Sequence, residues 1–264
     1  MTSAAPGSSA DELLEIALEC ARRAGAVLLD RASGPLSGVE AKSTATDLVS
    51  DADRAAEEAA LGLIRDHRPD DGILSEESEG QTSRSGLTWI VDPLDGTINF
   101  LFGIPAWAVS VAIEDQEGGL VGVVHDPQRA ETFSAVRGRG ARLNGSSISV
   151  SERPELASAL IATGFGYDER VRTIQAGRLP HVLGRVRDIR RGGSAALDLS
   201  YVAAGRLDGY FEAPMERWDR AAGQLIVTEA GGVVTDLPAP LHRGTGVVAA
   251  NPVLHPLLTE LIRG

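Results

Sequence analysis

The chain has 264 residues, of which 43% are hydrophobic, so it is long enough to bury a sizeable core. Its formal net charge is -12, which disfavours non-specific binding to nucleic acid or to anionic membranes, because such binding depends on Lys and Arg. The single cysteine, Cys20, excludes an internal disulfide and a cysteine-based zinc cluster. No apolar run approaches the roughly 18 residues of a membrane-spanning helix, and the first residues lack a secretory leader pattern. We therefore expect a cytoplasmic protein without a membrane contact.

Two amphipathic helices are predicted near the N-terminus, after a tail over residues 1–9 that we expect to be disordered. The first helix, over 9–30, begins with a Ser-x-x-Glu capping box, and apolar residues follow at helical spacing. Residues 31–43 contain Gly and Pro and predict a loop or a hairpin. The second helix is predicted over 53–66, and it ends before a proline.

Strand signals dominate the middle of the chain. A short apolar run over 89–91 predicts a buried strand that leads into a tight turn. Three further segments of strand length are separated by Gly-rich and Asp-Pro turns, which predicts an antiparallel meander. These three strands are predicted over 107–114, 120–125 and 131–136.

After residue 150, strand and helix signals alternate, and this pattern predicts layered α/β structure. Strands are predicted over 159–163, 187–190, 209–212, 233–235 and 246–250. Helices are predicted near 171–183 and over 194–204, 220–230 and 252–262. We therefore predict an N-terminal α+β half over 10–150 and a C-terminal α/β half over 151–264, with a cleft between them.

The segment WIVDPLDGTINF, which begins at Trp89, has the strongest functional signal. It delivers two carboxylates from the end of a buried strand into a tight turn. Pro93 fixes φ beside Asp92, and Gly96 permits close approach of the backbone, so Asp92 and Asp95 are expected to converge. Hard carboxylate oxygens suit Mg²⁺, which shares its coordination shell with phosphate oxygens. The segment therefore predicts a magnesium site for phosphate chemistry.

Other acidic motifs accompany this segment, and each lies at the boundary of a predicted element, where a rigid scaffold can direct side chains into one cleft. They are the block from Lys42 to Asp53, the Ser75-Glu76-Glu77 step, Glu212, and the WDRAAG segment that begins at Trp218. This ordered set resembles the inositol monophosphatase family, whose two signatures match WIVDPLDGTINF and WDRAAGQLIVTEAGG. The resemblance extends from about Glu12 to Ile262. It implies the α/β (α+β) class and a layered αβαβα sandwich of the sugar-phosphatase type.

The resemblance implies a set of metal ligands. A first Mg²⁺ would bind Glu76, Asp92 and the backbone carbonyl of Leu94, and a second would bind Asp92, Asp95 and Asp219. Asp92 would bridge these two ions at the separation of about 3.5 to 4 Å that is typical of two-metal sites. A third, weaker Mg²⁺ would rely on Glu76 and water, so two to three ions are expected.

The resemblance also implies the groups that act on water and phosphate. Thr97, paired with Asp53 and assisted by Glu76, would orient and deprotonate the attacking water. Asp95 would contact the substrate, and the N–H groups of Gly96 and Thr97 at a helix start would hold phosphate oxygens. A second interpretation stays open for Asp53 and Thr97, because either residue could also serve as a helix cap.

The opposite wall of the cleft is expected to bind substrate hydroxyls. The residues at the family's substrate positions are Gly193, Ser194, Ala195 and Glu212. Ser194 stands where the family has Thr; its hydroxyl can still cap a helix or bind a sugar, but the change loosens the assignment of an exact substrate. Glu212 could instead be a surface acid at a strand end. Two secondary residues are Lys42 and Asp47, of which Asp47 would orient Lys42 or support its loop.

Two other groups of residues are interpreted as structural. The five histidines show neither His-x-x-His nor His-Glu-x-x-His spacing, so zinc has little support. The segment 185–191 contains four arginines, but it also contains apolar residues and lies in an acidic chain. This pattern favours a partly solvated strand over a nucleic-acid surface. Glu77 and Glu79 are expected to be solvated neighbours of Glu76.

The predicted function is Mg²⁺-dependent hydrolysis of phosphate monoesters by metal-activated water. The favoured substrate is myo-inositol 1-phosphate, a small cyclitol phosphate, and the resemblance implies inhibition by Li⁺ and a homodimer. The alternative enzymes are a fructose-1,6-bisphosphatase, a histidinol-phosphatase and a 3'-phosphonucleotide phosphatase. A regulatory protein that associates with the transcription machinery is an alternative of a different class, although no nucleic-acid partner is expected.

Overall fold

The structure is a computed structural model, and it describes residues 9–33, 39–41, 48–241 and 244–263. Within these residues the chain forms seven α-helices and fourteen β-strands. The helices are α1 (Ala10–Ala32), α2 (Asp51–His67), α3 (Thr97–Leu101), α4 (Glu169–Leu183), α5 (Ala195–Ala203), α6 (Arg217–Glu229) and α7 (Leu254–Arg263). The strands are β1 (Glu40–Ala41), β2 (Leu48–Val49), β3 (Gly72–Ser75), β4 (Thr88–Asp95), β5 (Ala108–Asp115), β6 (Gly118–Asp126), β7 (Glu131–Val136), β8 (Ala141–Leu143), β9 (Ser146–Ile148), β10 (Leu160–Thr163), β11 (Asp188–Arg190), β12 (Gly209–Glu212), β13 (Val233–Pro238) and β14 (Thr245–Ala250).

A seven-stranded sheet has the order β3-β4-β5-β6-β7-β8-β9. Only its first pair, β3 and β4, is parallel, and each later strand runs antiparallel to the one before it. The predicted meander is therefore confirmed as β5 to β7. Between Asp92 and Asp95 the register of β4 against β5 shifts, and Pro93 lies in this irregular stretch, where a residue without an N–H is tolerated.

A five-stranded sheet has the order β11-β10-β12-β14-β13. Its strands β11, β10 and β12 are parallel, while β14 is antiparallel to β12 and β13. Helices α4 and α5 follow β10 and β11 in the chain, so the predicted alternation of strand and helix is confirmed. The arginine-rich segment contains β11, an edge strand whose Asp188 and Arg190 are exposed and whose Ile189 is half-buried.

The elements stack in five layers. Helices α1 and α2 cover one face of the seven-stranded sheet, α5 and α6 lie between the two sheets, and α7 with α4 covers the far side of the smaller sheet. Three apolar cores fill the spaces between these layers, and their members are buried side chains such as Trp89, Tyr210 and Leu258. The predicted αβαβα sandwich is thus confirmed, while a division of the chain at residue 150 stays a prediction.

Small side chains explain how closely α1 packs against α2. Ala17, Ala21 and Ala24 of α1 and Ala56 of α2 are buried between the helices and the seven-stranded sheet. Cys20 is also buried there, and its thiol lies 3.6 Å from the carbonyl oxygen of Ala60. Burial raises the pKa of the Cys20 thiol to about 12. This thiol is therefore a packing group.

Some helix boundaries differ from the sequence prediction. Helix α2 begins at Asp51 instead of Asp53, because Ser50 and Asp53 form a reciprocal capping box. Helix α6 begins at Arg217 instead of Arg220 for the same reason, since Asp219 closes a capping box with Glu216, the residue before the helix. Strands β3, β8 and β9, which have three or four residues each, were not predicted. Among the helices of the described ranges, none combines the length and apolar character needed to cross a membrane.

Candidate active site

The turn between β4 and α3 lies at one end of the seven-stranded sheet and forms the centre of the site. Asp92 Oδ1 accepts a hydrogen bond from the backbone N–H of Leu94 at 3.0 Å, which closes the turn. Gly96 begins α3 with φ of +97°, in the left-handed region that favours glycine. A Cβ at this position would lie 3.0 Å from the carbonyl oxygen of Ala106 and 3.2 Å from that of Gly193. Glycine therefore lets the turn approach the opposite wall.

Four acids come from three parts of the fold into one electrostatic environment. Glu76 follows β3, Asp92 and Asp95 end β4, and Asp219 lies in the first turn of α6. Burial raises the pKa of Asp92 well above its usual range, and the charges of Glu76, Asp95 and Asp219 raise it further. Burial also raises the pKa of Asp219, with contributions from Asp95 and Glu76. These four predicted ligands therefore lie close enough to influence one another.

The acids do not form a compact ligand cage. Within the ranges that the structure describes, no three His, Cys, Asp or Glu side chains are grouped as a ready metal-binding set. Local hydrogen bonds hold one oxygen of each aspartate, as with Asp92 at the turn and Asp219 Oδ2, which accepts from the N–H of Glu216 at 2.7 Å. Like charges in a low-dielectric environment also repel one another. The set nevertheless consists of hard carboxylate oxygen donors, and burial raises the pKa of its three aspartates. This chemistry fits a divalent cation such as Mg²⁺.

Thr97 and Asp53 are in direct contact. Thr97 Oγ1 lies 3.2 Å from Asp53 Oδ1 and 3.1 Å from the carbonyl oxygen of Leu94, so its single hydrogen is shared between these acceptors or alternates between them. Asp53 Oδ2 accepts from the N–H of Ser50 at 2.9 Å and from its hydroxyl at 2.6 Å. Asp53 thus caps α2 and pairs with Thr97 at the same time, so its two interpretations are compatible.

Asp95 is held by the start of α5 on the opposite wall. Ser194 Oγ donates to Asp95 Oδ2 at 2.5 Å, and the N–H of Ala196 donates to the same oxygen at 2.7 Å. Ser194 also caps α5 by accepting from the N–H of Leu197 at 3.3 Å. Burial raises the pKa of Asp95 to about 6, although the hydrogen bonds from Ser194 and Ala196 oppose the rise. The predicted residues 193–195 therefore lie beside Asp95.

Glu212 lies at the end of β12 in a packed, half-buried position. Tyr210 Oη donates to Glu212 Oε2 at 2.5 Å, and burial raises the pKa of Glu212 to about 7. The carboxylate covers Gly164 so closely that a Cβ there would lie 1.7 Å from Oε2. Asp95 and Arg191 are near enough to influence its pKa. Glu212 is therefore part of the same polar environment as Asp95.

Sequence reasoning missed two residues that join the walls of the site. Asn99 Nδ2 donates to the carbonyl oxygens of Ala106 at 2.7 Å and Gly192 at 2.9 Å. Asp198 of α5 is buried against Gly192 and accepts a hydrogen bond from its N–H; burial, with the charge of Glu212, raises the pKa of Asp198. Both residues look like ordinary polar residues of a helix. Only the position of Asn99 inside the WIVDPLDGTINF signature could have drawn attention to it.

The remaining predicted residues are the acidic neighbours of Glu76, the two secondary residues and the histidines. Glu79 is exposed and Glu77 is half-buried. Lys42 and Asp47 lie outside the described residues, as does the predicted tail apart from its last residue. His125 and His255 contact threonine hydroxyls at 2.9 Å and 3.0 Å, which fits the structural role predicted for histidines.

The five-layered scaffold, with these carboxylates at the β4–α3 turn, is a fold of the sugar-phosphatase type. The model of the inositol monophosphatase family matches residues 9–264, and the chain belongs to this family. This confirms the resemblance seen in the sequence.

Relatives resemble the chain along nearly its whole length. Nus factor SuhB of Pasteurella multocida (strain Pm70) is 42% identical over 257 residues, which cover 94% of this chain and 95% of the relative. The crystal structure of extragenic suppressor protein suhB from Bartonella henselae has a TM-score of 0.90 and 40% identity, with 96% of this chain and 98% of that chain covered. The structure of inositol monophosphatase from Anabaena (Nostoc) sp. PCC 7120 has a TM-score of 0.85 and 36% identity, with 96% of each chain covered.

Proposed function

We propose that the protein hydrolyses phosphate monoesters in a Mg²⁺-dependent reaction, with myo-inositol 1-phosphate as the favoured substrate. The observation that supports this proposal most is the meeting of Glu76, Asp92, Asp95 and Asp219 in one environment. Glu76, Asp92, the carbonyl of Leu94, Asp95 and Asp219 would hold the Mg²⁺ ions. When bound, these ions would lower the pKa of the attacking water and neutralise charge on the phosphoryl oxygens.

Thr97 and Asp53 would activate the water. The water oxygen forms a bond to phosphorus while its proton passes to Thr97 Oγ1, and the hydroxyl proton of Thr97 passes to Asp53 Oδ1, 3.2 Å away. Glu76 would help to orient the water. The bond between phosphorus and the ester oxygen breaks, and the leaving oxygen takes a proton from solvent to give the alcohol. This relay needs no covalent phosphoenzyme.

The wall formed by α5 and β12 would bind and orient the substrate. The N–H groups of Gly96 and Thr97 would contact phosphate oxygens, while Gly193, Ala195 and Glu212 would contact ring hydroxyls. Ser194 holds Asp95 through its hydroxyl, so this serine would act partly through Asp95. A carboxylate that receives hydrogen bonds on one oxygen keeps a fixed orientation for its second oxygen.

A phosphate-release assay over a panel of monoesters tests this proposal. The panel contains myo-inositol 1-phosphate, fructose 1,6-bisphosphate, histidinol phosphate and a 3'-phosphonucleotide, each with and without Mg²⁺. We expect the highest kcat/KM for myo-inositol 1-phosphate, activity only with Mg²⁺, and inhibition by Li⁺. A higher kcat/KM for another ester would assign the site to that substrate, and no release from any ester would refute the enzymatic proposal.

A regulatory function is the second candidate, because relatives along 94% to 96% of the chain bear the names Nus factor SuhB and extragenic suppressor protein suhB. These names conflict with the expectation that the protein has no nucleic-acid partner, which is not confirmed. The Asp92→Asn variant separates the two functions: it should abolish catalysis and leave a scaffold function intact. The homodimer and the cytoplasmic location stay predictions, and sedimentation of the purified protein tests the former.

A further inference from the structure

Glu57 is a buried acid on α2, and the proposed mechanism does not use it. Its side chain is 6% exposed, although it belongs to a charged residue type that is rarely buried without partners. We propose that Glu57 is a positioning residue that fixes the orientation of the metal ligand Glu76. This inference rests on the proposed function, because it gives Glu57 a task only if Glu76 binds a cation.

The contacts of Glu57 enclose Glu76 on both sides. The hydroxyl of Ser75 donates to Glu57 Oε1, and the backbone N–H of Glu77 donates to the same oxygen at 3.1 Å. Residues 75 and 77 are the two neighbours of Glu76 in the chain. One carboxylate oxygen therefore holds the side chain immediately before the ligand and the backbone immediately after it.

The paired residues of β3 and β4 end at Ser75, just before Glu76, so Glu57 restrains a part of the chain that lies beyond this ladder. The parallel ladder between β3 and β4 ends with the pair Ser75 and Val91, so the N–H of Glu77 lies beyond it. Ser75 Oγ also lies 3.3 Å from the carbonyl oxygen of Val91, the residue before Asp92. Glu57 thus continues the restraint of the ladder by two residues, up to the point where the chain leaves the sheet.

Helix α2 supports both functional parts of the site from one face. Asp53 and Glu57 are four residues apart, so they lie one above the other on the helix surface. Asp53 contacts Thr97, which belongs to the water-activating pair, and Glu57 contacts the step that contains Glu76. Burying a carboxylate costs free energy unless hydrogen bonds compensate for it. An apolar residue would satisfy the packing of α2 but could not hold residues 75 and 77.

The test compares variants of Glu57 by their affinity for Mn²⁺, measured by electron paramagnetic resonance on the full chain without substrate. Glu57→Leu should weaken Mn²⁺ binding by about 10- to 100-fold, the usual effect of losing an outer-shell partner. Glu57→Gln should stay within about threefold of the wild type, because its amide oxygen still accepts both hydrogen bonds. Glu58→Leu is the matched control, since Glu58 is the exposed neighbour on α2, with 80% of its side chain accessible.

A second variant and a second measurement separate positioning from folding. Ser75→Ala removes only one of the two hydrogen bonds and should weaken Mn²⁺ binding by an intermediate factor, even if Glu57→Leu fails to fold. The Mg²⁺ concentration at half-maximal phosphate release should rise in the same order of variants, while kcat at saturating Mg²⁺ recovers. A purely structural role would lower the unfolding temperature of the metal-free variants and leave both metal titrations unchanged.

The inference is overturned if Ser75→Ala and folded Glu57→Leu bind Mn²⁺ like the wild type, or if Glu57→Gln binds it as weakly as Glu57→Leu. Failure of the proposed function has a different result: a wild-type protein that binds Mn²⁺ but releases no phosphate from any ester. In that case the Mn²⁺ comparison still decides the role of Glu57. A wild-type protein that binds no Mn²⁺ would overturn both proposals.

Discussion

Ser194 Oγ donates a hydrogen bond of 2.5 Å to Asp95 Oδ2, and this contact joins residues 99 positions apart in the chain. Asp95 ends a strand of the seven-stranded sheet, while Ser194 caps a helix of the layer between the sheets. The orientation of a proposed metal ligand is therefore set by the opposite wall of the site. If Asp95 binds a metal ion as proposed, this one carboxylate would couple metal binding to the arrangement of the proposed substrate wall.

Ser194→Ala tests this coupling. The variant loses a charge-assisted hydrogen bond of about 1.5 to 3 kcal/mol, so kcat/KM should fall by roughly 10-fold or more. Ser194→Thr keeps the hydroxyl and should retain most of the activity. Because Ser194 also caps α5, Asp168→Ala serves as a control that removes the cap of α4, together with an ion pair to Arg170, away from the site. Equal activity of Ser194→Ala and the wild type in the phosphate-release assay would show that Asp95 needs no such support.

Thr97→Val tests the water-activating pair. Valine keeps the shape of threonine but cannot pass a proton to Asp53, so kcat should fall by about 10²- to 10⁴-fold. KM for substrate and the Mg²⁺ requirement should change little, since the change removes no predicted side-chain ligand. Thr97→Ser is the control, because it restores a hydroxyl at the same position. A variant with unchanged kcat and raised KM would mean that Thr97 only binds substrate.

The acid cluster predicts how pH affects the metal-free protein. The pKa of Asp95 is raised to about 6, and those of Asp92 and Asp219 are raised well above their usual range. A carboxyl whose pKa is higher in the folded state favours folding at low pH, and this contribution is lost as pH rises through the folded pKa. Stability in EDTA should therefore fall as pH increases from the ordinary aspartate range through 6 and above.

Thermal unfolding at several pH values, with EDTA or with Mg²⁺, checks this prediction. Mg²⁺ should raise Tm by an amount that increases with pH, since the cation competes with protons for the same oxygens. Subtracting the Tm in EDTA from the Tm in Mg²⁺ at each pH removes the contribution of titrating groups far from the site, including the histidines. The variant Asp92→Asn should show a smaller difference. A Mg²⁺ effect that is independent of pH would contradict the prediction.

Asp71 offers a prediction about stability that is separate from catalysis. It is 1% exposed and accepts hydrogen bonds from Arg68, Ser85 and Trp89. Burial raises the pKa of Asp71, but these hydrogen bonds outweigh burial and leave the pKa lowered. Asp71→Ala would remove the buried acceptor of the Trp89 indole N–H and of two Arg68 guanidinium hydrogen bonds, and should cost about 3 to 5 kcal/mol in the free energy of unfolding.

The neighbouring Asp70 provides the control for Asp71. Asp70 pairs with Arg84 on the surface, where both side chains are mostly exposed, so Asp70→Ala should cost less than about 1 kcal/mol. Urea unfolding followed by tryptophan fluorescence measures both variants. Folded Asp71→Ala should keep its activity per molecule, because Asp71 lies away from the acid cluster. Equal stability losses in the two variants would disprove the importance of the buried network.

Local sequence patterns predicted much of the fold and of the site. A capping box and helical spacing predicted α1, apolar spacing and the following proline predicted α2, and the run from Trp89 to Val91 predicted the strand that ends at the acids. The resemblance of the two signatures then joined Asp92 to Asp219, which lie 127 positions apart. Strand β3, with four residues, escaped prediction, although equally short strands after residue 150 were predicted from the alternation of strand and helix signals.

Long-range contacts outside the family signatures could not be predicted from the sequence. Asn99 contacts Gly192 and Glu57 contacts Ser75, and no spacing or composition signal links these pairs. The acids themselves were predicted to converge; they share one electrostatic environment, yet within the described ranges they do not form a compact ligand group. Hydrogen bonds to Leu94, Glu216 and Ser194 explain part of this difference, because each holds one carboxylate oxygen locally.

The central claim is that Glu76, Asp92, Asp95 and Asp219 together bind divalent cations. Anomalous diffraction from a crystal soaked in saturating Mn²⁺ tests it most directly. We predict at least two Mn²⁺ peaks among these side chains, with Asp92 bound to both ions. A map in which the four carboxylates have no ion between them would contradict the account.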